Sequence, residues 1–433
     1  MKKVIALLMS VQIALGIFAG CNKKTSEGGT PGTSTVNLTV LTNRTDIVDT
    51  YLKDYAKKYK EKTGVNIKWE AITNYYDDVK VRMNSKNYGD VLCIPTGISV
   101  SDLPQFFEPL GKNTDAQNKD YAYNTTYAVK NANSNDYTVY GLTYGLSATG
   151  IVYNKAAFKK AGIDKLPTTL DDLYAAAGKL NAAGIIPLAT NFKDKWPLSA
   201  WDTVGMTASK AGTLWNDVVK INEPFAAGQP LRTAMDILYK FVNSGWVEKD
   251  ITTTNWEQSK SDLGQGRVAM MPLGTWAISQ IQGKATNKDD IGYMAFPIDN
   301  SGKTYSVSSP DLFMGVNKNS KNIKEAKAFL YDFINSDYAD TQGFIPSKTG
   351  KASSNSVIKE FLSSGVQLIT IVTSDTESDK RQKIADNSGV DINGGGDYEQ
   401  QVALAAKKGQ TDYINVLNDL NKKWSDAKKK LGY

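Results

Sequence analysis

The fold is decided by residues 36–94, VNLTVLTNRTDIVDTYLKDYAKKYKEKTGVNIKWEAITNYYDDVKVRMNSKNYGDVLCI. Apolar and polar residues alternate where a strand is expected, and apolar residues recur at helical spacing where a helix is expected. The pattern predicts a strand at 36–40, a helix that ends at Gly64, a strand at 65–69, a helix at 75–85 and a strand at 91–94. This order of elements is typical of a parallel α/β sheet.

Beyond this stretch the pattern is mainly helical, and strands return towards the end. The further helices are predicted at 170–181, 231–242, 255–263, 324–334 and 398–431. The further strands are predicted at 185–189, 268–271, 291–296 and 311–316. The sequence contains no internal repeat, so we predict two α/β lobes that the chain visits more than once.

The N-terminus has the composition of a secretory signal. Two lysines after Met1 precede an apolar run at 4–18, which is shorter than the roughly 20 residues that span a bilayer. Ala19-Gly20-Cys21 resembles the bacterial lipoprotein box, with Phe18 in place of the usual leucine. We therefore predict a signal peptide at 1–20, a lipidated Cys21 and a flexible Gly/Ser/Thr-rich tether at 21–35. An ordinary secretory signal with a chance cysteine is the alternative.

Composition excludes several classes of function. The 433 residues, 41% hydrophobic and 22% charged, suggest two or three ordinary globular domains. The chain has no histidine, which excludes Ser-His and Cys-His catalytic pairs and histidine-containing zinc sites. Its formal charge of +6 forms no basic stripe interleaved with aromatic residues, so we predict no nucleic-acid partner.

Five segments occur in an order that resembles one protein family. They are KTGV at 62–65, YGL to GIVYNK at 140–155, FKKAG to PTTLDDL at 158–173, GRVAMM to GTW at 266–276, and NKNSK at 317–321. Together they resemble the extracellular solute-binding proteins of ABC sugar importers, the family that includes maltose-binding proteins. A lipid-anchored N-terminus fits the Gram-positive version of that family.

The resemblance implies a two-lobed periplasmic-binding-protein fold with hinge strands and an interlobe cleft. The N-terminal lobe would comprise 36–145 and 291–345, and the C-terminal lobe 146–290 and 346–433. The chain would cross between the lobes near 142–153, 292–296 and 344–346. It also implies a monomer without cofactor or metal, anchored at the outer face of the cytoplasmic membrane, that captures an oligosaccharide and delivers it to ABC-transporter permease subunits.

A neutral sugar needs flat aromatic groups for its C–H faces and paired donors and acceptors for its hydroxyl edges. The chain has 8 Trp and 22 Tyr. The resemblance places Trp276 in the cleft, because the family carries an aromatic residue in the cleft after the glycine that corresponds to Gly274. A packed core tryptophan is the alternative. Trp196 and Trp201 flank Pro197 in a predicted loop, where aromatic residues suggest recognition.

For the hydroxyl edges we expect residues at strand ends, where α/β sheets bind ligands. Arg44 offers a fork of donors and Asp46 a carboxylate, although Asp46 is also placed to cap a helix. Asp311 precedes a strand that should border the cleft, although it also suits a turn. The remaining candidates occupy strand-end loops or lie near the proposed hinge: Asn43, Tyr75, Thr96 and Tyr144.

Two other functions stay open at this point. A lipid-anchored polysaccharide hydrolase would need two carboxyl groups about 5–9 Å apart across a bound sugar, which distant residues could supply. A protein that binds metal or polyamine would keep the fold and would need clustered tyrosines with anions, or an acidic cleft. The tryptophan-rich stretch from 196 to 276 argues against this last reading.

Overall fold

The computed structural model describes residues 36–95, 97–392 and 394–433. Its strands are β1 (Asn37–Thr42), β2 (Asn66–Ala71), β3 (Val91–Cys93), β4 (Ala128–Lys130), β5 (Tyr137–Val139), β6 (Leu142–Thr143), β7 (Gly145–Asn154), β8 (Ile186–Leu188), β9 (Val268–Gly274), β10 (Ile291–Met294), β11 (Tyr305–Pro310), β12 (Phe313–Val316), β13 (Ile345–Pro346) and β14 (Gln367–Thr370). The predicted signal peptide, Cys21 and the tether lie outside the described residues.

Its helices are α1 (Tyr51–Thr63), α2 (Tyr75–Met83), α3 (Leu103–Phe106), α4 (Lys155–Lys160), α5 (Leu170–Ala182), α6 (Ala200–Ser209), α7 (Leu214–Asp217), α8 (Pro230–Asn243), α9 (Trp256–Gly264), α10 (Ala277–Gln282), α11 (Ile323–Asn335), α12 (Tyr338–Thr341), α13 (Ser356–Ser363), α14 (Asp375–Ser388), α15 (Asp397–Lys408) and α16 (Gln410–Leu431). Among the residues that the structure describes, none of these helices has the length and apolarity needed to cross a membrane.

The smaller sheet contains the strands of residues 36–94. Its strand order is β2-β1-β3-β12-β6, and β1 lies parallel to both β2 and β3. Gly64 ends α1 in the left-handed conformation, at φ 77°, which glycine adopts without steric cost. Alternate residues such as Leu38 and Val40 are fully buried under a core that includes Phe329 and Phe333 of α11. The predicted parallel α/β unit is confirmed.

The larger sheet is built around β7. Its seven strands follow the order β14-β11-β7-β9-β8, with β10 and β13 also paired to β7. One face carries the large helical core of α5, α6, α8, α15 and α16, in which Trp424 is fully buried. The other face carries a smaller core that includes Ile278, Ile281 and Phe361. Two sheets with separate cores make a two-lobed α/β molecule.

Within the described residues the chain crosses between the two sheets at three points. Tyr144 joins β6 to β7, and residues 311–312 join β11 to β12. Residues 342–344 join α12 to β13. The first crossing falls within the predicted stretch 142–153, and the third ends at residue 344, where the predicted stretch 344–346 begins. The second was predicted at 292–296 and lies at 311–312.

The second crossing also separates strands that were predicted to share a lobe. Residues 291–345 were assigned to the N-terminal lobe, but β10 and β11 pair with β7 in the larger sheet. Only from β12 onwards does this segment pair with the smaller sheet, through β3 and β6. The strand 291–294 is fully buried and has no alternating pattern, so its sequence suits either sheet.

Candidate ligand-binding cleft

A cavity of about 1090 Å³ lies between the two lobes, at the upper end of the size range for small-molecule sites. The lobe of the smaller sheet contributes Tyr76, Tyr123, Lys130 and Tyr137. The lobe of the larger sheet contributes Ser147, Thr149, Trp196, Thr203, Trp215 and Trp276. The crossing at 311–312 also lines the cavity. The walls therefore combine aromatic rings with hydroxyl groups.

Two tryptophans form the aromatic wall on the side of the larger sheet. Trp276 follows the end of β9, and Trp196 opens a short 3-10 helix, Trp196–Ser199. Their ring centroids lie 5.7 Å apart at 43°, and Trp256 packs within 5.4 Å of Trp196 and 5.7 Å of Trp276. Trp196 remains 41% exposed. The cluster holds two indoles at the cavity and backs them with a third.

Gly274 explains the position of Trp276. A Cβ atom at Gly274 would lie 2.4 Å from Ser147 Oγ and 2.5 Å from Trp276 Nε1, closer than real Cβ contacts allow. The indole therefore lies directly against the backbone of β9, where it touches the cores of both lobes. The predicted alternative, a tryptophan packed wholly inside one core, does not describe this position.

Asp311 is the acidic residue of the cavity wall. The Tyr144 hydroxyl donates to its Oδ2 over 2.5 Å. Burial raises the pKa of the Asp311 carboxyl above its ordinary value, while the Tyr144 hydroxyl and the positive charge of Arg44 act in the opposite direction. Tyr144 itself is only 3% exposed and does not line the cavity, so it reaches the cleft through Asp311.

Arg44 and Asp46 are paired with each other rather than directed into the cavity. Arg44 donates from Nε and Nη2 to the two oxygens of Asp46, at 2.8 and 2.7 Å. It also donates to the Tyr338 hydroxyl and to Gln342 Oε1. Partial burial would raise the pKa of Asp46, but the Arg44 guanidinium holds it below its ordinary value. Neither residue lines the cavity.

Three other predicted residues are also placed away from the cavity surface. Tyr75 is 2% exposed, and its hydroxyl donates to the Cys93 carbonyl over 2.8 Å. Trp201 is 2% exposed and packs edge-on against Phe296. Asn43 does not line the cavity, and its buried Oδ1 has no hydrogen-bond partner among the described residues. Thr96 lies outside the described residues.

Helix geometry accounts for the first two of these placements. Successive helical residues point about 100° apart, so a one-residue shift changes the face. In α2 the cavity receives Tyr76 instead of Tyr75, and in α6 it receives Ala200 and Thr203 instead of Trp201. Tyr75 lies at a helix end as predicted but faces the core, whereas Trp201 was predicted in a loop and lies instead in the first turn of α6, facing the core.

Several cavity residues were not predicted. Lys130 and Tyr137 lie on the β4-β5 hairpin, and Tyr123 lies in the loop before it, at a left-handed φ of 58°. The Tyr123 hydroxyl donates to the Ser308 carbonyl over 2.8 Å. Trp215 is largely buried and also lines the cavity. The left-handed φ of Tyr123 is a property of the folded loop, so its sequence gives no signal that would place it in the cavity.

The described part of the chain contains no group of three or more Cys, Asp or Glu side chains that could hold a metal ion.

Residues 44–340 match the sequence profile of the bacterial extracellular solute-binding protein family. The chain belongs to this family. The multiple sugar-binding protein of Streptococcus mutans, a curated relative, is 24% identical over 342 residues, which cover 76% of this chain and 77% of that protein.

Solved structures of solute-binding proteins share the whole fold. BlMnBP1 of an ABC transporter from Bifidobacterium animalis subsp. lactis, in complex with mannobiose, superimposes with a TM-score of 0.78 at 29% identity and covers 92% of this chain and 95% of its own. The manno-oligosaccharide-specific BlMnBP2 from the same organism, in complex with mannotriose, gives a TM-score of 0.77 at 28% identity, with coverage of 92% and 95%. The predicted two-lobed solute-binding fold is confirmed.

Proposed function

We propose that this extracellular solute-binding protein is the sugar-binding component of an ABC importer and that its ligands are short manno-oligosaccharides. The observation that carries the proposal is the tryptophan wall, Trp196 and Trp276, across the cleft from tyrosines of the other lobe. The two relatives at 28–29% identity that were solved with mannobiose and mannotriose supply the sugar class.

The chemistry of the cavity favours an uncharged, hydroxyl-rich ligand. Lys130 and Asp311 are the charged side chains among its lining residues, and they come from different segments. The other polar side chains carry hydroxyls (Ser, Thr and Tyr), which donate and accept as sugar hydroxyls do, or the indole N–H of Trp, which donates. A charged ligand would need a concentrated opposite charge in this wall, whereas a sugar needs rings and hydroxyls.

Stacking on the indole rings can supply a substantial part of the free energy of sugar binding. Stacking a sugar ring on half an indole removes roughly 100 Å² of apolar surface, worth about 2.5 kcal/mol at most. A micromolar complex needs about 8 kcal/mol in total. Two indole contacts and several hydrogen bonds of about 1 kcal/mol each approach that value, and a hydrogen bond to the Asp311 carboxylate contributes more.

We also propose a location for the protein, based on its N-terminal segment. Lipidation of Cys21 would tether it to the outer face of the cytoplasmic membrane, and the tether at 21–35 would let the lobes reach the permease. We propose a monomer and lobes that follow the strand pairing: 36–144 with 312–344, and 145–311 with 345–433. The protein would bind its sugar without altering it, since its relatives are binding proteins.

A ligand panel tests the proposal. The mature protein is titrated by calorimetry with mannobiose, mannotriose, maltotriose and raffinose, and its melting temperature is measured with each sugar. A ligand that binds only the folded state stabilises it by about 2.7 kcal/mol at 100 times the dissociation constant. We expect this stabilisation with the manno-oligosaccharides and recovery of the sugars unchanged after long incubation. No stabilisation by any sugar, or release of mannose, would contradict the proposal.

A further inference from the structure

Tyr144 belongs to one of the three segments that join the lobes, and its side chain contacts the other two. It stands at the first crossing, between β6 and β7. Its hydroxyl donates to Asp311 of the second crossing over 2.5 Å. The centroid of its ring lies 5.5 Å from that of Phe344 in the third crossing and 4.9 Å from that of Tyr338 in α12. A change in the angle between the lobes would have to rearrange these contacts.

Asp311 connects this buried residue to the cavity. Its backbone N–H donates to the Gly145 carbonyl over 3.1 Å, so its main chain is also tied to the first crossing. The Tyr144 hydroxyl engages Oδ2 and leaves Oδ1 without a side-chain partner among the described residues. A hydroxyl that donates to a carboxylate over this distance makes one of the stronger hydrogen bonds in proteins. The Leu312 backbone N–H also hydrogen-bonds this carboxyl. The Asp311 side chain is therefore held at the cavity wall, where a carboxylate oxygen can still accept a further hydrogen bond.

We propose that Tyr144 is a positioning residue for sugar binding: it orients the Asp311 carboxylate so that Oδ1 accepts a hydroxyl of the bound sugar. The same contact links occupation of the cleft to the strands that join the lobes. This inference rests on the function proposed above and assigns Tyr144 an indirect role, since its ring does not reach the cavity.

The charged and titratable groups around Asp311 give the inference a pH signature. The groups that interact with it electrostatically are Arg44, Tyr76, Cys93, Tyr144 and Tyr338. Burial raises the pKa of Asp311, and the Tyr144 hydroxyl is the largest influence that lowers it. Without this hydroxyl the carboxylate becomes protonated at a higher pH. As the pH is lowered, the affinity for a sugar bound through the carboxylate then begins to fall at a higher pH than it does when the hydroxyl is present.

The test compares Tyr144→Phe with Tyr88→Phe by calorimetry with mannobiose from pH 4.5 to 8. Tyr88 is an equally buried tyrosine whose hydroxyl donates to the Phe106 carbonyl, away from the cavity. We expect Tyr144→Phe to weaken binding about tenfold at pH 7, as for one lost hydrogen bond to a charged group. We also expect its affinity to fall at a higher pH than that of the wild type, whereas Tyr88→Phe keeps the wild-type profile.

Asp311→Asn provides a second comparison. This single variant tests the role of the carboxylate directly, even if Tyr144→Phe folds poorly. If the hydroxyl acts through the carboxylate, the double variant binds no more weakly than Asp311→Asn, and the pH dependence is absent in both. An unchanged pH profile in Tyr144→Phe, or losses that add in the double variant, would overturn the inference. Wild-type protein that binds no oligosaccharide at all would instead overturn the proposed function.

Discussion

Replacement of Trp196 by alanine tests the aromatic wall with little disturbance of the fold. The side chain is 41% exposed, and an aromatic side chain can bury 150–250 Å², so roughly 60–100 Å² remains available to a ligand. At 25 cal/mol per Å² this surface is worth about 1.5–2.5 kcal/mol. We therefore expect Trp196→Ala to weaken mannobiose binding by about 10- to 70-fold.

Isothermal calorimetry of the mature protein measures this loss, and thermal unfolding without sugar measures the cost to the fold. Leu404→Ala is the matched control, because Leu404 is 42% exposed on α15 and does not line the cavity. The control should bind like the wild type. If Trp196→Ala binds mannobiose with wild-type affinity, stacking on this indole does not contribute, and the reasoning from the exposed ring is refuted.

Two further predictions concern the support of the site and the core beneath it. Gly274→Ala places a methyl group 2.4 Å from Ser147 Oγ and 2.5 Å from Trp276 Nε1, so the indole must shift. We expect about tenfold weaker mannobiose binding and altered tryptophan fluorescence. An unchanged emission spectrum together with full affinity would contradict this prediction. Glu399 is fully buried beside Asp202 and Tyr398, and burial together with the Asp202 charge raises its pKa. A carboxyl with a raised pKa in the folded state destabilises that state as the pH rises, so Glu399→Gln should increase the melting temperature more at pH 8 than at pH 5; an equal change at both values would contradict this.

The stretch at 36–94 was predictable because its signals are local. Alternation, helical spacing and the left-handed Gly64 act within a few residues, and α1, β2 and β3 appear where they indicate. The predicted helix at 398–431 is in fact two helices, α15 and α16, separated at Gly409 with φ 120°. The apolar spacing continues across this glycine, so periodicity alone did not reveal the break.

The crossings between the lobes and much of the cleft depend on distant parts of the chain. The second crossing at 311–312 was missed because β10 and β12 are equally apolar, and only their partners distinguish them. Trp196, Trp276 and Asp311 were named from the sequence and line the cavity. Their part in binding remains a prediction. Tyr137 could not be named, because its place depends on how the β4-β5 hairpin docks.

A crystal structure of the mature protein with mannotriose would show whether the cleft binds this sugar against its indole rings. We predict sugar rings between the lobes, one of them against Trp196 or Trp276, with a hydroxyl within hydrogen-bond distance of the Asp311 carboxylate. Mannotriose bound elsewhere on the surface, or bound in the cleft without contact with either indole, would contradict the account.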